Sequence, residues 1–217
     1  DWEKSFTYKE ASNLDMTFCD FVEVYEKDQR PKLKENTWLS KEHMIKTKLL
    51  PYFENKKMCD ISPRDIVQWQ NVMLKGSTKN GTEYAATYLK TVQAQLSCLF
   101  NHAVRFYELR GNPVVKAGAL GIHDAEEMQF WTKEEYLQFI PTVADKVYSY
   151  LAFELLYWCG MRMGELRALT PGDFDFKNNT ISITKSYQKI KGRDVITVPK
   201  TKKSIRTIVM PKQVAIE

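Results

Sequence analysis

The sequence has few of the residues that build metal sites and disulfide frameworks. It contains four cysteines and three histidines in 217 residues. The cysteines form no CxxC pair and have no histidine cluster nearby: Cys19, Cys59, Cys98 and Cys159. Structural zinc sites and small disulfide-bonded folds need such clusters, so the sequence suggests neither. We expect reduced thiols, with Cys98 and Cys159 buried in apolar helices, and a cytoplasmic protein.

Long hydrophobic runs and phosphate-binding loops are also missing. No apolar stretch approaches the roughly 18 residues that a membrane-spanning helix needs, and the mean hydropathy is -0.44. The N-terminal residues 1–4 show no basic head followed by an apolar run, as a secretion signal would. There is no glycine-rich phosphate loop and no HExxH, and His43, His102 and His123 are not spaced as a metal pair. These absences predict a soluble protein without a metal site.

Positive charge is concentrated near the C-terminal end. The formal net charge is only +5, but the segment Lys185–Lys212 contains nine Lys or Arg and a single acid, Asp194. Such a concentration attracts a polyanion. A solvated basic loop without a partner is the alternative that charge alone leaves open.

Hydrophobic periodicity of three and four residues predicts four helices in the first half of the chain. The predicted bounds are Thr17 as cap to Arg30–Pro31, Asn36 or Thr37 as cap to Pro51, Ser62–Pro63–Asp65 to about Leu74, and about Thr82 to Glu108. We expect a four-helix bundle over residues 14–115. Residues 1–13 are predicted to be a linker or frayed terminus, and residues 116–130 an interdomain linker.

The second module, residues 131–217, has a mixed pattern. Thr132 and Glu135 form a capping box for a helix to about Ile140. A second helix, from about Lys146 to Cys159, is so apolar that we expect deep burial. The period then changes to two, which predicts three short strands of one antiparallel sheet: Thr180–Thr184, Val195–Val198 and Arg206–Val209. The fold class is therefore mainly α with a small antiparallel β-sheet.

Arg162 stands where the apolar helix ends at a glycine and a new helix begins. An arginine beside apolar neighbours is costly unless it is paired or faces a cavity. A structural ion pair with Glu165 is one interpretation. The other is an anion clamp, since a guanidinium presents a planar fork of donors that suits two oxygens of one phosphate. The basic segment Val198–Ser204 links two predicted strands as a hairpin, and a lysine at its tip could protonate a leaving oxygen.

Two ordered sets of motifs resemble those of the phage-type tyrosine recombinases, the site-specific integrases. The segment around Arg162, followed by Asp173 and Pro199–Ile208, looks like the first half of that family's catalytic domain. Five upstream segments resemble the family's helical core-binding domain in the same order: Met16–Phe18, Leu50–Phe53, Ile61–Ile66, Leu99–Val104 and Asn112–Pro113. The resemblance covers about residues 14–217. It implies a core-binding bundle followed by a partial α+β catalytic domain.

The resemblance implies roles for individual residues. Arg162 corresponds to the family's first catalytic arginine, which holds the scissile phosphate and stabilises its developing charge. Lys200 corresponds to the general acid for the leaving 5′ hydroxyl, although Lys202 is close enough to leave the choice open. Glu165 resembles the supporting acid near that arginine. The family's mechanism needs no metal or nucleotide cofactor, because a tyrosine attacks the phosphate and forms a 3′ phosphotyrosine link.

The sequence departs from the family's pattern after the basic segment. The later box, a His-x-x-Arg with a further His or Trp and then the nucleophilic tyrosine, has no counterpart before Glu217. All eleven tyrosines lie upstream of Thr201, where we expect packing roles. We therefore expect this chain to bind DNA without cleaving it. A longer natural protein and a remnant without its catalytic half both remain open, as does an arm-binding domain ahead of Asp1.

The resemblance also implies partners. These are double-stranded DNA attachment sites, a homotetramer in the synaptic complex, and DNA-bending or excision helper proteins, in a bacterial or phage-infected cell. Phosphate contacts would make binding strongly salt-dependent, with base readout on helices two and four. The candidate DNA-binding residues are Lys41, Lys46, Lys90, Arg105, Lys202 and Lys203.

Two other function classes are considered beside the recombinase. A non-catalytic DNA-binding module or recombinase remnant would share the phosphate contacts but perform no chemistry. RNA binding through the basic segment is disfavoured, because the aromatic strand motif of RNP-type domains is missing.

Overall fold

The structure is a computed structural model that describes residues 14–77, 80–121, 127, 129–199 and 201–216, without the side chains of Lys202 and Ile216. The chain divides into two compact units, residues 1–127 (unit 1) and residues 128–217 (unit 2). The predicted linker over residues 1–13 lies outside the described residues, as do residues 122–126 and 128 of the predicted interdomain linker. Among the residues described, no helix is long and apolar enough to cross a membrane.

Unit 1 is built from helices. They are α1 (Phe18–Gln29), α2 (Glu35–Met44), a π-helical turn (Ile45–Leu49), α3 (Leu50–Phe53), α4 (Pro63–Lys75), α5 (Ala86–Phe106) and the short α6 (Pro113–Ala117). The four predicted helices correspond to α1, the continuous segment from α2 to α3, α4 and α5. The helical class expected for this half of the chain is confirmed.

Capping boxes set the beginnings of α1 and α4. At α4, the Ser62 hydroxyl accepts from the Asp65 N–H at 3.3 Å, and the Asp65 carboxylate accepts from the Ser62 N–H at 2.9 Å. Thr17 and Asp20 make the equivalent pair at α1. Each box satisfies N–H groups that no helical carbonyl can reach. Both predicted starts are confirmed.

The second helix differs from the prediction at both ends. Lys34, not Asn36 or Thr37, is its N-cap, and its carbonyl accepts from the Trp38 N–H at 3.1 Å. Because the helix begins earlier than predicted, the backbone N–H of the buried Trp38 has a helical hydrogen-bond partner. Pro51 does not end the helix, which continues to Phe53. Because the preceding turn widens to a π-helix, Pro51 falls in the first turn of α3, where a missing N–H costs little.

Helix α5, Ala86–Phe106, is shorter at both ends than the predicted Thr82–Glu108. Ahead of it, Glu83 forms an isolated β-bridge with Ser77, which keeps that stretch extended. Beyond it, Glu108 has a left-handed φ of 56°, a conformation that ends helices.

Helical spacing predicts an inward apolar stripe for this helix: Tyr84, Tyr88, Leu89, Val92, Leu96, Leu99, Phe100, Ala103 and Val104. Six of these residues are buried, namely Leu89, Val92, Leu96, Leu99, Phe100 and Ala103, whereas Val104 is 38% exposed. The predicted burial of Cys98 is wrong, because Cys98 lies outside this stripe and is exposed. Cys159, in unit 2, is buried as predicted.

Aromatic packing joins the four helical segments of unit 1. The ring of Phe18 lies 5.5 Å from that of Phe53 and 6.2 Å from that of Phe100. The ring of Phe53 lies 6.0 Å from that of Trp69, whose indole N–H donates to the Lys48 carbonyl at 3.0 Å. All four rings are essentially solvent-free, so α1, α3, α4 and α5 share one core.

Unit 2 combines helices with two small sheets. Its helices are α7 (Lys133–Phe139), α8 (Val147–Cys159), α9 (Met163–Leu166) and α10 (Lys212–Ile216), and its strands are β1 (Phe174–Asp175), β2 (Thr180–Ile183), β3 (Ser186–Ile190), β4 (Arg193–Thr197) and β5 (Arg206–Val209). The capping box of Thr132 and Glu135 is confirmed at the start of α7. A 3₁₀ turn follows at Ile140–Val143.

The bounds of α8 are close to the prediction, but its deep burial is not observed. Val147 and Tyr148 are 64% and 91% exposed, and within α8 only Glu154 and Cys159 are buried. Among the described elements, α7, the 3₁₀ turn, α9 and α10 pack on α8, and the Tyr136 ring of α7 stacks 3.7 Å from the Tyr157 ring of α8. They cover part of its circumference, whereas its apolar residues lie all around it. Glu154 is buried with a partner, since its carboxylate accepts from the Tyr136 hydroxyl at 2.7 Å.

The predicted single sheet is two sheets. β2 pairs antiparallel with both β1 and β5, in the order β1-β2-β5, with Ile181 opposite Ile208. β4, which holds most of the predicted middle strand, pairs instead with β3 in a separate hairpin. An alternating pattern marks a strand without naming its partner, and β3 was missed because it lacks that alternation. The segment Val198–Ile205 therefore links two different sheets and is not a β-hairpin.

We expect Asp65→Ala to destabilise α4 by about 1–2 kcal/mol, because it removes half of the capping box and the ion pair with Lys56. The Lys56 ammonium and the Ser62 hydroxyl lower the pKa of Asp65 to about 2, against 3.8 in an unfolded chain. The contribution is therefore present above about pH 4 and is lost as the pH falls towards 2.

Hydrogen exchange of the α4 backbone amides measures this change. Asp60→Ala removes an exposed carboxylate from the preceding loop and should alter protection by less than about 0.5 kcal/mol. Equal protection of α4 in the Asp65 and Asp60 variants would contradict the assignment.

Candidate functional site

Arg162 lies at the junction of α8 and α9. α8 ends at Gly160, whose left-handed φ of 59° suits a residue without a Cβ. Met161 then enters the core at 5% exposure, and Arg162 takes an extended conformation as the N-cap of α9. The Arg162 side chain is 73% exposed. The junction thus presents a guanidinium to solvent from an anchored backbone.

Glu165 lies beneath this guanidinium and is 3% exposed. Its carboxylate accepts from the Arg162 N–H at 2.9 Å and from Arg162 Nη1 at 2.8 Å. Arg206, on β5, donates to the same carboxylate from Nη1 at 3.0 Å and from Nη2 at 2.8 Å. These donors, Arg206 foremost, lower the pKa of Glu165 to about 2, although burial opposes the shift. The carboxylate is therefore ionised at neutral pH.

A glycine allows α9 to lie directly against β3. A Cβ on Gly164 would lie 2.6 Å from the Ser186 hydroxyl and 2.9 Å from the Tyr187 carbonyl oxygen, so only glycine fits without a shift. On the same side, the Arg167 guanidinium stacks 4.0 Å above the Tyr187 ring, whose hydroxyl donates to Asp194 at 2.6 Å. The β3–β4 hairpin thereby holds the short helix that carries Glu165.

The basic segment approaches the same cluster through its C-terminal end. Lys200 lies outside the described residues, and the Lys202 side chain is not described. Lys203 is exposed in a 3₁₀ turn over Lys202–Ser204. Arg206 Nη1 donates to the Ser204 carbonyl at 3.3 Å, so the end of this segment is tied to the residue that holds Glu165.

Two family models match the chain, one in each unit. The phage integrase N-terminal SAM-like domain matches residues 17–74, and the phage integrase family model matches residues 129–213, which include Arg162, Glu165 and Arg206. The chain belongs to the phage integrase family. The resemblance that its motifs predicted is confirmed.

Two curated relatives are integrases or transposases of mobile elements by name. This chain is 25% identical over 199 residues to the ICEBs1 integrase of Bacillus subtilis (strain 168), covering 91% of this chain and 52% of that protein. It is 27% identical over 207 residues to the transposase from transposon Tn916 of Enterococcus faecalis, covering 91% and 48%. The chain thus spans about half the length of these relatives.

A solved structure shares the fold. The Tn1549 transposon integrase in complex with a circular intermediate DNA aligns with a TM-score of 0.76 at 24% identity, covering 93% of this chain and 63% of that chain. The predicted class, mainly helical with small antiparallel sheets, is confirmed.

The predicted DNA-binding residues of unit 1 occupy different surroundings. Lys41 is half-buried and its ammonium donates to Gln95 on α5 at 2.6 Å, while Lys46, in the π-helical turn, pairs with Glu42 at 2.6 Å. Lys90 and Arg105 are exposed on α5. Fifteen residues of helix separate them, or about 22 Å. Their roles stay predictions.

Arg206 was missed as a site residue in the sequence. It appeared only as one of nine bases in the C-terminal segment. A signal was nevertheless present, because alternation in β5 places Arg206 and Ile208 on the same face. A charged residue on the inward face of a strand needs a partner. The sequence could not name that partner, since Glu165 lies 41 residues away.

We expect Gly164→Ala to destabilise unit 2 by about 1–3 kcal/mol, because the new methyl group meets the Tyr187 backbone. Gly172→Ala is the matched control, since no atom lies within 4 Å of its Cβ position. Hydrogen exchange of the β3 and β4 amides compares the two variants. Unchanged β3 protection in Gly164→Ala would rule out the proposed close approach.

We expect the Glu165 carboxyl to titrate with a pKa of about 2. Its stabilising contribution is then present above about pH 4.5 and lost as the pH falls through 2. In Arg206→Ala the midpoint should move up towards 4.5, because the largest cause of the shift is gone. A ¹³C NMR titration of the side-chain carboxyl measures both values, and identical midpoints would contradict the assignment.

Proposed function

We propose that the intact gene encodes a site-specific recombinase that integrates or excises a mobile element. The family membership supports this, as do relatives named ICEBs1 integrase and transposase from transposon Tn916. The observation that carries the proposal is the cluster at Arg162. Its exposed guanidinium rests on a buried carboxylate inside the stretch matched by the integrase family model.

The two units take separate parts in this proposal. Residues 14–115 form the core-binding domain, residues 116–130 the interdomain linker, and residues 131–217 the first part of the catalytic domain. The core-binding domain contacts duplex DNA through α5 and the α2–α3 segment, with Lys41, Lys46, Lys90 and Arg105 as candidate contacts. Lys202 and Lys203 add phosphate contacts from unit 2. Recombination proceeds in a homotetramer on attachment-site DNA, with DNA-bending or excision proteins as helpers.

The chemistry is a transesterification. A tyrosine hydroxyl of the gene product gives up its proton to water as its oxygen attacks the scissile phosphorus, the bond from phosphorus to the 5′ oxygen breaks, and a 3′ phosphotyrosine link forms. The leaving 5′ oxygen takes its proton from Lys200, or from Lys202. Arg162 holds non-bridging oxygens of the same phosphate and stabilises their charge in the transition state. Glu165 supports Arg162 and does not touch DNA.

The 217-residue chain supplies only part of this machinery. It contains Arg162 and the basic segment, but after Thr201 it has neither a His-x-x-Arg box nor a tyrosine. It therefore binds DNA and does not cleave it.

We expect the chain to bind duplex DNA with steep salt dependence. When a protein neutralises six or more phosphates, raising the salt from 50 to 200 mM lowers its affinity for DNA on the order of a thousandfold. Fluorescence anisotropy with a labelled duplex measures this, with a duplex RNA of equal length as competitor. Equal competition by RNA would favour the RNA-binding alternative.

A nicked suicide substrate tests the chemical step. The 217-residue chain should give no covalent adduct on denaturing gels, whereas the product of the intact gene should give one. In that product, Arg162→Ala should lower the rate of adduct formation at least about a hundredfold while DNA affinity stays within a few-fold. An adduct from the 217-residue chain, or an Arg162 variant in which affinity alone changes, would contradict the proposal.

A further inference from the structure

Arg206 holds the carboxylate that supports Arg162. Two oxygens of a carboxylate offer about four acceptor positions. The structure fills all four, two with Arg162 and two with the parallel N–H groups of Arg206. Arg206 makes the bidentate pair, the stronger and more directional geometry. Arg162 donates to this carboxylate from only one guanidinium nitrogen, Nη1, so its other guanidinium N–H groups are not used by Glu165.

The two arginines differ in exposure, which separates their roles. The Arg162 side chain is 73% exposed, and that of Arg206 is 30% exposed. The charge of the buried Glu165 carboxylate is thus neutralised mainly by Arg206, the less exposed of its two partners. With two guanidinium groups and one carboxylate, the cluster carries a net positive charge. That charge appears at its exposed member, Arg162, where a phosphate could approach.

Removing Arg206 would reverse this balance. Arg162 and Glu165 would form a neutral pair, and Glu165 would have two empty acceptor positions. The exposed guanidinium could then turn inward to make a bidentate pair with the carboxylate. The Arg162 guanidinium would then bind Glu165 with the same N–H groups that it needs to bind a phosphate.

Arg206 also ties down the basic segment. Besides Glu165, its Nη1 contacts the carbonyl of Ser204 at 3.3 Å. Ser204 in turn closes the turn that follows Lys200, since its N–H donates to the Thr201 carbonyl at 3.0 Å. One guanidinium therefore connects the start of α9 with the end of the segment that contains the candidate acids.

We propose that Arg206 is a positioning residue for DNA cleavage: it occupies Glu165 from the inner side and so keeps the Arg162 fork available to the scissile phosphate. This inference rests on the proposed function. Arg206 acts through Glu165 and the Ser204 carbonyl and does not itself contact DNA.

The experiment uses the product of the intact gene and a nicked duplex that carries its attachment sequence. Single-turnover adduct formation and DNA affinity are measured separately. Arg206→Ala should slow adduct formation about a hundredfold with DNA affinity within about threefold. Lys177→Ala, which removes the same charge from an exposed site between β1 and β2 and outside the basic segment, should stay within about twofold of the wild type. Arg206→Lys should be intermediate, because an ammonium cannot form the fork.

The double variant Arg206→Ala/Glu165→Gln distinguishes positioning from general support of the fold. A neutral amide no longer captures the Arg162 guanidinium, so the rate should recover at least about tenfold over Arg206→Ala. A residue that only stabilised the fold would give a double variant no faster than the single one. If Arg206→Ala does not fold, the same comparison between Arg206→Lys and Arg206→Lys/Glu165→Gln decides the question.

The outcomes separate this inference from the proposed function. No adduct from the wild-type gene product would overturn the proposed function, and this inference with it. If the wild-type gene product forms its adduct normally, the positioning role alone is overturned when Arg206→Ala reacts as fast as Lys177→Ala, or when the double variant shows no recovery.

Discussion

The candidate site depends on one ionised carboxylate buried between two arginines. A buried carboxylate is costly without partners, and loss of one partner from such a cluster leaves an uncompensated charge. Glu165 avoids this by accepting from a backbone amide and from two guanidinium groups. The same contacts join the α8–α9 junction to β5. The same cluster therefore connects these two parts of unit 2 and holds Arg162 at the surface.

Close packing makes that cluster possible. Gly164 lets α9 touch β3, and the stack of Arg167 on Tyr187 adds a second contact to the same strand. These contacts lie in the β3–β4 hairpin, apart from the sheet that carries Arg206. The site thus draws on both small sheets, one of which is a two-stranded hairpin that would be marginally stable by itself. Unit 1 is held differently, by one aromatic core that α1, α3, α4 and α5 share.

Local features of the fold were predictable because their causes lie within a few residues. Capping boxes place donor and acceptor three positions apart, so the starts of α1, α4 and α7 could be read directly. The apolar stripe of α5 followed from helical spacing. Errors arose where neighbours in space intervened, as at the second helix, where a π-helical turn accommodates Pro51.

For the site, the sequence by itself was enough to recognise the family, to name Arg162 and Glu165 as candidates, and to place them one helical turn apart. Only the tertiary structure decided that Arg206 completes the cluster, that β4 pairs with β3, and that Lys41 turns towards Gln95. Strand pairing and long-range ion pairs depend on which faces of distant segments meet. A periodic pattern records which face of a segment is buried but not what it is buried against.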